Sequence, residues 1–228
     1  MSYLDLDDVH VRLGDTQVLR NVTCSLDQRT VAVIGENGSG KSTFARLVGG
    51  LARAESGAIR ILGLDPAQDA SRLRRRIAVV FSNPDTQIVM PTVIEDVAFS
   101  LRSEKLPREE KAQRVTEALE RFGLTAVADH ASHDLSGGQK QLLALCGAFV
   151  RRPDLVIADE PTAYLDARNA RRVADHLFEE GAHRLLLVTH DMTLAQRCDS
   201  AVLVHDGTIV AVGPPDATIA AYEERLRC

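Results

Sequence analysis

The sequence predicts an α/β fold in which a core of apolar strands and helices is interrupted by a mostly helical stretch. Three observations predict it. Short apolar runs recur, "TVAVI" at 30–34, "DLVIAD" at 154–159 and "RLLLVTH" at 184–190, each followed by residues of helical pattern. The opening "LDLDDVHVRL" and "TQVLRNVTCSL" instead alternate in part, as half-buried strands do, so the start is β-rich. Between residues 87 and 150 the pattern is mainly helical. The 228 residues therefore divide into a single domain, with 1–86 and 151–228 as the core and 87–150 as an inserted helical subdomain.

The elements follow in order. "TVAVI" is apolar throughout, as a central strand is, and "KSTFARLVGGL" after it reads as a helix. "GAIRILG" and "RRIAVVF" read as two more strands. "PREEKAQRVTEALERFGL" sets Val115, Ala118, Leu119 and Phe122 on one helical face, with Pro107 opening and Gly123 closing the helix. "GQKQLLALCGAFV" continues the helical part. In "AVLVHDGTIVAVG" the "HDG" between two apolar runs predicts a hairpin. Repeats and low-complexity tracts are not evident.

Composition excludes several classes. Charged residues at 26% and hydrophobic ones at 45% describe an ordinary globular protein. A net charge of −5 supplies no electrostatic attraction for nucleic acid, and none is expected as a partner. No apolar run approaches the ~20 residues that cross a bilayer. "MSYLDLDDVHVRL" lacks the pattern of a signal peptide, so the expected location is the cytoplasm. Cys24, Cys146, Cys198 and Cys228 are far apart with no C-x-x-C pair, which argues for reduced thiols. Cys24 and Cys146 read as core residues and Cys228 as a loose terminal thiol; none reads as catalytic.

"GENGSGKST", residues 35–43, fits G-x-x-x-x-G-K-[ST] directly after a strand and at the start of a helix. Gly35, Gly38 and Gly40 allow the backbone to curl so that N–H groups point at an anion, with Asn37 and Ser39 among the loop's candidate binding residues, and the helix adds its positive end. Lys41 is placed to reach the β- and γ-phosphates of a nucleoside triphosphate, and Ser42, the last residue of the pattern, to ligate Mg²⁺. Thr43 directly after it is a further candidate for nucleotide binding. A second such helix start is "LSGGQKQ", with Ser136, Gly137, Gly138 and Gln139. One chain has little use for two cradles on one nucleotide unless one serves a neighbour's. "LVIADEPTAYLD" is an apolar strand ending in two acids: Asp159 is suited to Mg²⁺, largely through waters, and Glu160 to act as general base. "LLLVTHD" ends at His190, whose imidazole could contact the γ-phosphate.

In this order and spacing the motifs resemble the nucleotide-binding subunits of ABC transporters, over essentially the whole chain. The resemblance implies a P-loop ATPase fold with ATP and Mg²⁺ as cofactors. It gives "LSGGQ" the role of signature, "AYLD" that of the D-loop with Asp166 its acid, and His190 that of the switch histidine. It implies a head-to-tail dimer with a second ATPase subunit, in which Ser136, Gly137 and Gly138 touch the partner's γ-phosphate, at the cytoplasmic face of a cell membrane beside integral-membrane subunits. The finer match, "VVFSNPDTQIVMPTVIEDVAFSL" at 79–101, is similar to the ATPases of energy-coupling-factor importers, which take up vitamins and cobalt or nickel ions; "FSNPDTQIVMP" leans toward the biotin members. In that group the segment faces the membrane partner. Val93, Val97 and Leu101 do not all fit one core-facing stripe on this reading, so they, with Ile88, Val89 and Met90, are candidates either for that surface or for the core. A soluble ATPase of the same family acting on DNA or ribosomes, and a simple P-loop kinase, are the competing readings. The first usually carries tandem cassettes or long insertions, and the second has no use for "LSGGQ".

The chain departs from the family at three places. Ser82 stands where a glutamine helps ligate Mg²⁺; it reaches a metal through a bridging water, or is only a turn residue while another group completes the shell. Gln87, five residues on, matches a second glutamine position. Leu13 stands where an aromatic ring stacks on adenine. The short end after "AVGPPDATIAAYEERLRC" predicts no dimer without ATP. His130 and His133 in "DHASHD" have metal-like spacing but too few ligands, and read as a solvated loop.

Overall fold

Strands apolar at every position need packed layers on both faces, and that requirement builds this molecule. The computed structural model describes residues 2–179, 181 and 183–227. Its main sheet has the order β5-β6-β7-β3-β8-β9. Here β3 is Thr30–Ile34, β5 Ile77–Phe81, β6 Leu155–Asp159, β7 Arg184–Val188, β8 Ser200–His205 and β9 Thr208–Gly213. The first five pair in parallel, and β9 folds back antiparallel on β8 through Asp206 and Gly207, at φ 46° and 74°. Those two positive angles are what a two-residue hairpin turn demands, and Asp-Gly supplies them at low cost.

The pleat sorts side chains with period two. Ala32, Ile34, Val156, Ala158, Leu185 and Leu187 enter one core. Val31, Val33, Leu155, Ile157, Leu186 and Val188 enter the other. The second core is closed by α1 (Lys41–Val48) and by an antiparallel sheet, β2-β1-β4, of β1 Leu4–Leu13, β2 Thr16–Leu26 and β4 Ser56–Ile61. The first is closed by α3 (Val93–Ser100), α4 (Arg108–Arg121), α5 (Gly137–Phe149), α6 (Ala167–Phe178), the short α7 (Met192–Gln196) and α8 (Pro215–Leu226). On α4 the expected stripe of Val115, Ala118 and Leu119, with Phe122 beyond it, is buried, and Gly123 leaves the helix at φ 66°.

Two expectations need correction. "RRIAVVF" is a strand only from Ile77; Arg75 and Arg76 end a helix, α2 (Ala70–Arg76), whose single buried side chain, Leu73, leaves no periodic stripe to read. Val93, Val97 and Leu101 are all fully buried, because spacing of four residues does place them on one face. What the same segment exposes is Val89, at 62%, and Ile94.

Cys24 and Cys146 are buried, and burial pushes both thiols up to about 12, so neither is a nucleophile at neutral pH. Cys228 lies outside the described residues. His130 is exposed and His133 stands in solvent beside Asp134; among the described residues no cluster of metal-ligating side chains forms.

Candidate ATP-binding site

All the groups in question leave the carboxyl ends of the parallel strands, where open α/β sheets bind ligands. The loop Gly35–Gly40 follows β3, Ser82 follows β5, Asp159 ends β6 with Glu160 next, and His190 lies two residues beyond β7. Because β7 lies between β6 and β3, these ends are neighbours in space.

The loop is shaped by close approach. A Cβ on Gly35 would stand 2.1 Å from the Val204 carbonyl oxygen, and one on Gly40, at φ 107°, 2.9 Å from the Leu19 side chain. The Ser39 carbonyl accepts from Gly207 N–H at 2.9 Å, so the β8–β9 turn fixes the loop from outside. Gly207 itself has room only as glycine, since a Cβ there would meet the Val18 carbonyl oxygen at 2.2 Å. Gly40 caps α1 without any side-chain hydrogen bond, so no side chain covers the helix's leading N–H groups. The Ser39 hydroxyl oxygen is buried and unpartnered. An orphan buried hydroxyl beside an uncapped helix start is the setting of a phosphate site. Asn37 and Gly38 form the outer bend of the loop, and Gly38, at φ 81°, has nothing within 4 Å of a Cβ.

Lys41 is 7% exposed and donates to the Gly35 and Glu36 carbonyl oxygens, each at 2.8 Å. Burial lowers its pKa, while Glu160, Asp159 and Glu36 pull the other way. Ser42 Oγ donates to Asp159 Oδ1 at 3.1 Å. Asp159 is buried, and burial raises its pKa against the Ser42 hydrogen bond, Arg46 and Lys41. Thr43 is buried in the first turn of α1. Glu160 sits in the left-handed region at φ 51°, an uncommon backbone for a non-glycine residue, and its Oε2 lies 2.7 Å from His190 Nδ1.

Of these groups Gly35, Asn37, Ser82, Glu160 and His190 line one cleft of about 550 Å³, together with Glu36, Ala163, Tyr164 and Tyr222. Lys41, Ser42 and Asp159 stand behind its wall, Lys41 tied to it through the Gly35 and Glu36 carbonyls and Ser42 and Asp159 to each other. Ser136, Gly137, Gly138, Gln139 and Asp166 do not line it. Ser136 caps α5: its hydroxyl accepts from Gln139 N–H at 3.3 Å, and the Gln139 carboxamide oxygen accepts from Ser136 N–H at 2.9 Å. This reciprocal box holds the turn and occupies the Gln139 oxygen. Asp166 caps α6, and the Asn169 hydrogen bonds, backbone then side chain, lower its pKa.

Ser82 reaches the cleft rim, whereas Gln87 turns away: Phe81 N–H donates to its Oε1 and its Nε2 donates to the Val79 carbonyl, both at 2.8 Å. Leu13 is 45% exposed at the end of β1. Sequence reasoning missed Tyr164, Tyr222 and Gly207. Tyr222 comes from α8, more than 180 residues along the chain from the loop, and no local pattern announces it. The "HDG" turn was legible, but its contact with Ser39 was not.

The ABC transporter family profile matches residues 19–163. A Bartonella henselae protein, provisionally named as an ABC transporter ATP-binding protein, is 42% identical over 99% of this chain and 100% of its own. The energy-coupling factor transporter ATP-binding protein EcfA1 of Bacillus subtilis is 39% identical over 86% of this chain and 72% of its own. The biotin transport ATP-binding protein BioM of Rhizobium etli is 34% identical over 97% and 98%. Among solved structures, cbiO1 of Clostridium perfringens, part of the ABC transporter complex cbiONQ, superposes with a TM-score of 0.86 at 30% identity, covering 99% of this chain and 93% of its own. A dimeric ATP-binding cassette, MJ0796, in a post-hydrolysis state with ADP and Pi, does so with a TM-score of 0.79 at 26% identity, covering 93% and 98%. With the phosphate loop, the strand-end acids and the fold all in accord, the chain belongs to the ABC transporter family, as one of its ATP-hydrolysing subunits.

Proposed function

We propose that this subunit drives an energy-coupling-factor type importer of a vitamin, biotin foremost, or of a transition-metal ion, and that it works as a head-to-tail dimer with a second ATPase subunit. The importer class is supported by the likeness to EcfA1, BioM and cbiO1, and biotin by BioM together with the "FSNPDTQIVMP" wording. The dimer reading is carried by one observation. The glycine-rich loop that leads into α1 borders the chain's own cleft through Gly35 and Asn37, whereas the glycine turn that opens α5 does not.

In this reading Gly35–Gly40 and the α1 start hold the ATP phosphates, and Lys41 leaves the loop carbonyls to meet the β- and γ-phosphates. Ser42 and Asp159, already 3.1 Å apart, offer the oxygen donors that Mg²⁺ prefers, with Ser82 placed to contribute through a water. Bound there, the ion would neutralise phosphate charge. Glu160 takes the proton of the attacking water, and His190, 2.7 Å away, orients that carboxylate and contacts the γ-phosphate. Ser136, Gly137 and Gly138, with Gln139 holding their turn and Asp166 beside them, complete the neighbour's site. The dimer works integral-membrane subunits from the cytoplasmic face, with no nucleic acid involved. Among the described residues no helix is long and apolar enough to cross a membrane. Their docking surface includes Val89, whose backbone N–H, like that of Met90, donates to Asp96 Oδ1, so its side chain is held outward.

Mixing two inactive subunits tests the dimer. Lys41→Ala removes the phosphate contact, and Gly137→Asp blocks the signature turn, where a Cβ meets nothing within 4 Å. A mixed dimer keeps one sound composite site, so hydrolysis should partly return on mixing. No recovery, with both variants folded, would overturn the head-to-tail reading.

A further inference from the structure

Gly138 and Asp166 stand on different helices, yet one side chain joins them. An ideal Cβ on Gly138 would lie 2.4 Å from Asn169 Cγ, 2.6 Å from its Nδ2 and 2.7 Å from its Oδ1. Gly138 is buried and Gly137, with nothing near a Cβ, is exposed, so the two glycines of the turn have different reasons to be glycine. A flexible amide could ordinarily move aside. This one is tied: Asn169 Nδ2 donates to Asp166 Oδ2 at 2.7 Å, and Asn169 N–H donates to Asp166 Oδ1 at 2.9 Å. Shifting it breaks the amide's bond to Asp166 Oδ2 and leaves only the backbone N–H on the capping carboxylate of α6.

We infer that Asn169 is a positioning residue, setting the signature turn and the AYLD loop in fixed register so that one subunit presents both together to its neighbour's nucleotide. Asn169 does not line the subunit's own cleft. It acts through Gly138 on one side and Asp166 on the other. This rests on the proposal that the signature turn serves a partner's site.

The test is a mutant cycle on the full chain. Gly138→Ala, Asn169→Ala and the double variant are compared with the parent for kcat, KM, dimer formation with ATP, and melting temperature. Gly138→Ala should lose turnover because its methyl displaces the amide. Asn169→Ala should lower kcat while ATP binding by the monomer stays unchanged. In the double variant the methyl has room, so kcat should recover about tenfold over Gly138→Ala, the coupling expected of two groups in contact. A residue that merely stabilised the fold would make the double variant worse than either single one. A double variant no better than Gly138→Ala, or a fully active Gly138→Ala, overturns the inference. Gly137→Asp is the control for the underlying reading: full turnover there overturns the signature's role and this inference with it. An inactive Gly137→Asp without coupling in the cycle overturns Asn169 alone.

Discussion

Replacing Glu160 by glutamine should separate the chemical step from everything before it. The exchange preserves size and the 2.7 Å approach to His190, and an amide can still hydrogen bond there. The left-handed backbone at φ 51° asks the same of either residue, so the fold should be unchanged. What is lost is the capacity to accept a proton from water. General-base assistance contributes about 10²–10⁴ in rate, or about 2.7–5.4 kcal/mol of barrier at ~1.36 kcal/mol per tenfold. The phosphate loop, Lys41 and the Ser42–Asp159 pair are untouched, so ATP should bind as before. Phosphate release at saturating ATP should fall by that factor, while the protein elutes as an ATP-dependent dimer on size exclusion. Hydrolysis at the parent rate would refute the assignment of Glu160 as base. Loss of ATP binding in step with turnover would refute the claim that it acts only in the chemical step.

Two further predictions probe the helical face and the pH response. Val89→Glu, at an exposed site, should keep its melting temperature and ATP turnover in solution but lose association with membrane subunits, while Leu101→Ala, fully buried, should cost about 2–5 kcal/mol of stability. Unfolding of Val89→Glu by circular dichroism, or full association with the membrane subunits, would refute the docking surface. His176 and His183 both have pKa values lowered chiefly by burial; Glu179 pulls upward on both, Arg121 and Arg172 add to the lowering at His176, and Arg29 and Arg121 at His183. The unfolded chain then binds more protons below about pH 6.5, so stability is full above that pH and falls as pH drops through it, by up to ~1.4 kcal/mol per unit per histidine. A melting temperature that stays flat from pH 7.5 to 5.5 would contradict this.

The fold was legible where chemistry is local. Strands apolar on both faces, "TVAVI" and "LVIAD", could only be central, and the "HDG" turn carries its own conformation. Strand order was not legible: that β7 lies between β6 and β3, which brings Asp159, Glu160 and His190 to the phosphate loop, depends on packing across the sheet. The same holds for α2, whose arginines hide a helix held by one leucine. The candidate site was legible through backbone demands at Gly35 and Gly40 and through acids at a strand end. Tyr222 and the Gly207 contact arrive from distant sequence and have no local signature.

The two glutamines near β5 show why motif position alone misleads. β5 is the edge of the main sheet, so one side of its backbone has no strand to pair with. Exposed ladder groups on an edge need partners. Asn83 caps a single 3₁₀ turn, Pro84–Thr86, and this turn returns Gln87 to that edge. There its carboxamide accepts from Phe81 N–H and donates to the Val79 carbonyl, as a neighbouring strand would. Gln141, fully buried on α5, donates to the Phe81 carbonyl at 3.1 Å. Both side chains are committed to the sheet edge. Gln87 therefore cannot replace the glutamine absent at position 82 without uncovering β5. The short hydroxyl of Ser82, next after β5, is left at the cleft, and in the proposed site it would reach a metal through a bridging water.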